Sequence, residues 1–104
     1  MNASVAIQIL PNLTEREEKR AAVDAVIAYI RASGVHYEVG PFETVMEGDY
    51  DTLMDIVKNC PKVCVEAGAP SVMGYVKISY APDGVWSMED KVAKHRMAGK
   101  EGAV

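Results

Sequence analysis

Two short alternating runs, set close together between two long amphipathic stretches, constrain this chain more than any other feature. Val35-His36-Tyr37-Glu38-Val39 and Glu43-Thr44-Val45-Met46-Glu47 change sides at every residue, the period of a half-buried strand. Only Gly40-Pro41-Phe42 separates them, which predicts an antiparallel hairpin. A tight turn at Pro41 and Phe42 puts position 36 opposite 47 and position 38 opposite 45.

Upstream, Val5, Ile7 and Ile9 alternate with Ala6, Gln8 and Leu10, a strand that Pro11 and Asn12 close. Thr14 with Glu17 three residues later is a capping-box pattern. The helix it predicts carries Ala22, Val23, Val26, Ile27 and Ile30 at spacings of three and four, and Gly34 sits where a helix-ending glycine belongs. Downstream, a second helix begins near Asp49 or Tyr50 and carries Leu53, Met54, Ile56 and Val57. Pro61 predicts a kink or restart, with the restarted piece running to Gly68. Ser71 to Tyr80 is the longest strand, and Ala81-Pro82-Asp83-Gly84 is a turn. Ser87 then caps a charged helix from Met88 to about Met97, with Asp90 at its third position. The Gly- and Ala-rich end is expected to fray.

The order is β-α-β-β-α-β plus a C-terminal helix. That is an α+β fold of the ferredoxin-like type, a sandwich on a four-stranded antiparallel sheet. The 104 residues fit one domain, 1–104, with an ordered core of about residues 3–97. With 49% hydrophobic and 25% charged residues the chain can bury one core. Its net charge of −4 argues against a nucleic-acid partner and leaves room for a small cation. The N-terminus lacks a basic segment and a long apolar run, and no stretch is apolar enough for a membrane span. The expected location is the cytoplasm, with no membrane partner.

Alternation also assigns faces. Val5, Ile7, Ile9, Val35, Tyr37, Val39, Val76, Ile78 and Tyr80 should face the two helices. The other face collects Ser4, Ala6 and Gln8, then His36 and Glu38, then Val45 and Glu47, then Tyr75, Lys77 and Ser79. This fold leaves that face open, and such faces often pair with a second copy or hold a ligand. An amide, an imidazole, two carboxylates, a phenol, an ammonium and a hydroxyl are more polar than a subunit seam usually is. Ligand binding and mutual ion pairing both account for them.

His36 between apolar neighbours reads first as a hydrogen-bonded structural residue, and otherwise as a base. Glu47, just before Gly48, could hold a cationic or amino group or cap the following helix. Lys77 reads as an interface or ligand contact rather than a catalytic amine. Trp86 and Tyr80 read as packing residues. Cys60 and Cys64 have neither redox nor metal-site spacing, and at least one should pack in the core. No nucleophile elbow, zinc motif or phosphate loop is present, so no catalytic residue, metal or resident cofactor is assigned and the balance favours binding.

Three segments resemble the thiamine-binding protein family, small proteins formerly of unknown function. They are Val5-Ala6-Ile7-Gln8-Ile9-Leu10-Pro11, the stretch from Ser33-Gly34 through Pro41 and Thr44 to Glu47-Gly48, and Val76-Lys77-Ile78-Ser79-Tyr80 followed by Lys91-Val92. The likeness spans roughly residues 3–97. It implies a ferredoxin-like homodimer or homotetramer that binds thiamine or its hydroxymethylpyrimidine moiety near a subunit interface, without catalysis, for carriage or sensing. Glu47, Glu38 and Gln8 could then accept from the pyrimidine amino group, and Gln8, Tyr75 and Ser79 could donate to ring nitrogens. Tyr37 or Tyr75 could stack on the ligand, Thr44 matches the family's threonine, and His36 and Lys77 complete the candidate set. Two alternatives stand beside it: a small dimeric monooxygenase or isomerase with His36 as base, and a purely structural or regulatory module.

Overall fold

The structure is a computed structural model that describes residues 1–101, with side chains to residue 96. Its elements are β1 (Ala3–Pro11), α1 (Arg16–Ala32), β2 (His36–Val39), β3 (Thr44–Gly48), α2 (Tyr50–Glu66), β4 (Val72–Tyr80) and α3 (Met88–Glu101). All strand pairs are antiparallel and the sheet order is β2-β3-β1-β4. This is the expected ferredoxin-like arrangement, with β1 in the middle and the hairpin on one flank.

The hairpin has the predicted register. His36 pairs with Glu47 and Glu38 with Val45, and the Gly40 amide donates to the Glu43 carbonyl at 2.9 Å to close the turn over Pro41 and Phe42. Side-chain alternation then follows from the pleat. Val5, Ile7 and Met46 enter the core beneath α1 and α2, where they meet Ala22, Val26, Ile30, Leu53 and Ile56. Val5, Ile30, Met46 and Leu53 are completely buried. Each such side chain contributes about 1.5–3 kcal/mol of burial free energy. The Asn59 amide of α2 donates to the Tyr29 hydroxyl of α1 at 3.1 Å, tying the two helices together.

Gly34 follows the Ser33 C-cap at φ +81°, a left-handed conformation that disfavours any Cβ, as expected of a helix-ending glycine. Asp49 caps α2 by accepting from the Thr52 amide at 3.1 Å, and Ser87 caps α3 by accepting from the Asp90 amide at 3.0 Å.

Several sequence expectations are corrected. The Thr14 capping box does not form. The N-cap is Glu15, which makes no side-chain cap bond, and the first turn instead holds Glu17 and Glu18, whose charges suit the helix dipole. Pro61 causes no restart, for α2 runs unbroken to Glu66. A proline removes its own N–H and crowds the carbonyl four residues back, and the burial of Cys60 and Cys64 on either side offsets that cost. The helix side of β4 is less covered than alternation implies: Val76, Ile78 and Tyr80 remain 40%, 48% and 52% exposed. Tyr80 does pack, its ring centroid 4.8 Å from that of Tyr50, but Trp86 is 70% exposed and is not a packing residue. α3 runs four residues past Met97, and the rest of the end expected to fray lies outside the described residues.

Candidate functional site

The second face of the sheet is not fully open, because α3 lies over it. Two carboxylates of that face hold the helix. Glu47, on β3, accepts from the Met88 backbone amide at 2.8 Å and so serves the first turn of α3. Glu38, on β2, accepts from the Arg96 guanidinium at 2.9 Å further along. Their positions follow from the register, since residues 38 and 47 project from the same side of neighbouring strands. Met88 is buried as a result, and so are Ser4 and Ala6 beneath it.

Between α3 and the sheet lies a groove of about 370 Å³. Its apolar floor includes Ala6 and Val45, and Glu38, Lys77 and Ser79 stand on the sheet side. Lys91 and Val92 close it from the helix. The His36 Nε2 is 3.4 Å from Glu47 Oε1, so this carboxylate has both an imidazole and a helix amide beside it. Lys77 Nζ lies 3.2 Å from Glu43 Oε1 at the hairpin turn. The groove therefore offers an apolar surface bordered by an anionic group, cationic groups and a hydroxyl, the mixture by which small-molecule sites orient what they hold.

The nine sequence-predicted residues divide between faces. Gln8, His36, Glu38, Glu47, Tyr75, Lys77 and Ser79 share the face beneath α3, of which Glu38, Lys77 and Ser79 line the groove. Gln8 and Tyr75 are cross-strand partners beyond the groove lining. Tyr37 and Thr44 lie on the opposite, helix-covered face. The Tyr37 hydroxyl accepts from the Arg31 Nε at 3.0 Å. Thr44 is buried beside Ile7 and borders a separate cleft of about 190 Å³ between α1 and the hairpin turn.

Sequence reasoning missed the contribution of α3. Met88, Lys91, Val92 and Arg96 stand at i, i+3, i+4 and i+8, a single helical stripe, and Ser87 announces the helix start. That stripe was the available signal. Cys60 and Cys64 are remote from the groove, buried in the core with free thiols. Desolvation pushes the Cys60 thiol up to about 11 and raises that of Cys64, so neither is a reactive thiolate. Among the described residues no cluster of His, Cys, Asp and Glu could hold a metal ion, and no helix is long and apolar enough to cross a membrane.

Comparison with known proteins agrees with this architecture. A family pattern described as thiamine-binding protein matches residues 5–96. The UPF0045 protein CPE1503 of Clostridium perfringens is 47% identical over 93 residues, covering 89% of this chain and 96% of that one. A domain of unknown function, DUF77, from Bacillus cereus superposes with a TM-score of 0.83 at 35% identity, over 92% of this chain and 91% of that chain. A Thermotoga maritima protein described as a candidate for thiamine biosynthesis or salvage superposes with a TM-score of 0.81 at 31% identity, over 92% of this chain and 100% of its own. With the pattern running nearly from end to end, the chain belongs to the thiamine-binding protein family.

Proposed function

We propose that this protein binds thiamine or its hydroxymethylpyrimidine moiety without catalysing a reaction, as a carrier or sensor in the cytoplasm. The ligand occupies the groove beneath α3, near the boundary between subunits of a homodimer or homotetramer. The observation that carries this reading is the groove itself. It is largely apolar, about 370 Å³, with the Glu38 carboxylate and the Ser79 hydroxyl on its wall. Small-molecule sites of that size and character are typical. An aminopyrimidine presents one amino donor and ring acceptors, and Glu38 and Ser79 complement both. The thiazolium of thiamine adds a positive charge, which the carboxylates of the face favour.

Calorimetric titration with thiamine, and separately with hydroxymethylpyrimidine, tests the reading. The expected result is saturable heat at about one ligand per subunit or per subunit pair. Absence of heat with either ligand at millimolar concentration, where sites of ~4 kcal/mol begin to fill, overturns it. Glu38→Gln, on the groove wall, is expected to weaken thiamine by about tenfold or more, because a hydrogen bond to a charged group contributes about 1.5 kcal/mol or more. Unchanged affinity in that variant would remove the Glu38 carboxylate from the contact set.

A further inference from the structure

The polar groups around the groove are unequally engaged. The register sets them in rows across the sheet: His36, Glu47, Ser4 and Ser79 in one, Glu38, Val45, Ala6 and Lys77 in the next. Glu47 is occupied at both oxygens, by the His36 imidazole at 3.4 Å and by the Met88 amide at 2.8 Å. Glu38 is occupied at one oxygen only, which accepts from Arg96. Lys77 gives one of its three donors to Glu43, in an exposed pair that water screens. Lys91 faces the groove from α3 and forms no ion pair among the described residues.

The unengaged groups are sorted by sign along the groove. On the β2 side stands the second oxygen of Glu38, an acceptor. On the β4 side Lys77 and Ser79 project from the same face two residues apart, Ser4 is the cross-strand partner of Ser79, and Lys91 meets them from the helix. That end holds two ammonium groups and two hydroxyls, all able to donate. The carboxylates that would repel an anion there are already matched, Glu43 by Lys77 and Glu47 by His36 and the helix amide. Val45 and the small Ala6 form the floor between the two ends. Glu38 and Lys77 are three strand spacings apart, about 14 Å between Cα atoms. Ser79, one step along β4 and with a short side chain, lies farther still from Glu38.

We infer that the groove takes its ligand as a phosphomonoester, with the phosphate against Lys77, Ser79 and Lys91 and the amino group against Glu38. A phosphomonoester carries about −1.5 to −2 charge at pH 7 and three strong acceptor oxygens. Two ammonium groups and a hydroxyl meet that charge with charge-assisted hydrogen bonds. The span decides which ester fits. A phosphate on the hydroxymethyl group of a lone pyrimidine sits beside the ring that bears the amino group, too near to it to reach both ends of the groove. In thiamine the thiazolium ring stands between the amino group and the alcohol, so thiamine monophosphate has the length, and its thiazolium lies over Ala6 and Val45. This inference rests on the ligand reading above and deepens it by naming the phosphorylation state.

Calorimetric titration of the full chain with thiamine, thiamine monophosphate and hydroxymethylpyrimidine phosphate tests the site. The wild type is expected to bind thiamine monophosphate about tenfold or more tighter than either of the others, the scale of one hydrogen bond between charged groups. Lys91→Gln removes an exposed ammonium and is expected to bring the monophosphate-to-thiamine ratio down to about twofold or less. Lys94→Gln removes the same charge from the same helix outside the groove lining and is expected to keep the ratio. A ratio of two affinities measured on one variant does not depend on how much of the sample is folded. Equal affinity for thiamine and its monophosphate, or a ratio that survives Lys91→Gln, would overturn the phosphate site and leave thiamine binding standing. Hydroxymethylpyrimidine phosphate binding as tightly as thiamine monophosphate would overturn the two-ring span. Binding of the monophosphate without binding of thiamine would uphold the site and overturn the unphosphorylated ligand. No heat with any of the three would overturn the ligand reading of the groove and this inference together.

Discussion

Cys60 and Cys64 show how burial decides the chemistry of a residue. Both thiols sit in the core face of α2, completely removed from solvent. Desolvation disfavours the thiolate, which holds Cys60 protonated up to about pH 11 against an ordinary value of 9.0. The sign of the linkage follows. Below about pH 9 the thiol is neutral in both states and the contribution is constant. Above it the unfolded chain loses protons that the folded chain keeps, so stability falls until the folded thiol also ionises near 11. Urea denaturation at pH 8 and pH 10 should show this fall in the wild type and a smaller one in Cys60→Ala. Equal slopes would mean that the buried thiol is not the titrating group. Site residues were legible to the extent that alternation governs them. Seven of nine candidates share the face beneath α3 because residues two apart in a strand point the same way. Tyr37 and Thr44 entered the set through family likeness, and their odd-even position already put them on the opposite side from Glu38 and Val45.

Among the elements, α3 is the one whose place the sequence did not reveal. Its neighbours in the chain are loops, and nothing local says which surface its Met88–Lys91–Val92 stripe will meet. The hairpin, by contrast, was legible down to its register, because the two-residue turn leaves no other pairing that keeps Met46 buried. Once docked, α3 is held unequally at its two attachments. The Arg96–Glu38 pair is largely exposed, and such pairs contribute about 0–1 kcal/mol. The Glu47–Met88 cap is mostly sheltered, since only 9% of the Glu47 side chain is exposed, and loss of a cap typically costs about 1–2 kcal/mol. Glu47→Ala should therefore speed amide exchange at Met88 to Lys91 by roughly 5- to 30-fold. Arg96→Ala should change it by less than about fivefold. Hydrogen exchange read by mass spectrometry or NMR checks both, and a larger effect from Arg96 would reverse the order of the two attachments.

At the scale of the whole molecule the two sides of the sheet carry different loads. One side holds the core, with Ile30, Met46, Leu53 and Val5 wholly buried between sheet and helices. The other is a groove roofed by a single helix, on which Met88 is buried and Val92 half-buried. Folding stability should come from the first and ligand affinity from the second, so that substitutions separate the two properties. Leu53→Ala leaves a cavity in the core and should cost about 2–5 kcal/mol. For a domain near this size each kcal/mol lowers Tm by about 4–8 °C. Val92→Ala trims a half-buried methyl pair on the groove roof and should cost less than about 1.5 kcal/mol, while widening the space a ligand fills. Thermal unfolding of the two variants beside wild type decides the matter. Comparable losses would mean that α3 belongs to the cooperative core, and the groove would then be a product of folding as rigid as the hydrophobic side. A small loss in Val92→Ala beside a large one in Leu53→Ala leaves α3 as a separately movable roof, whose position a bound ligand can adjust without unfolding what lies beneath.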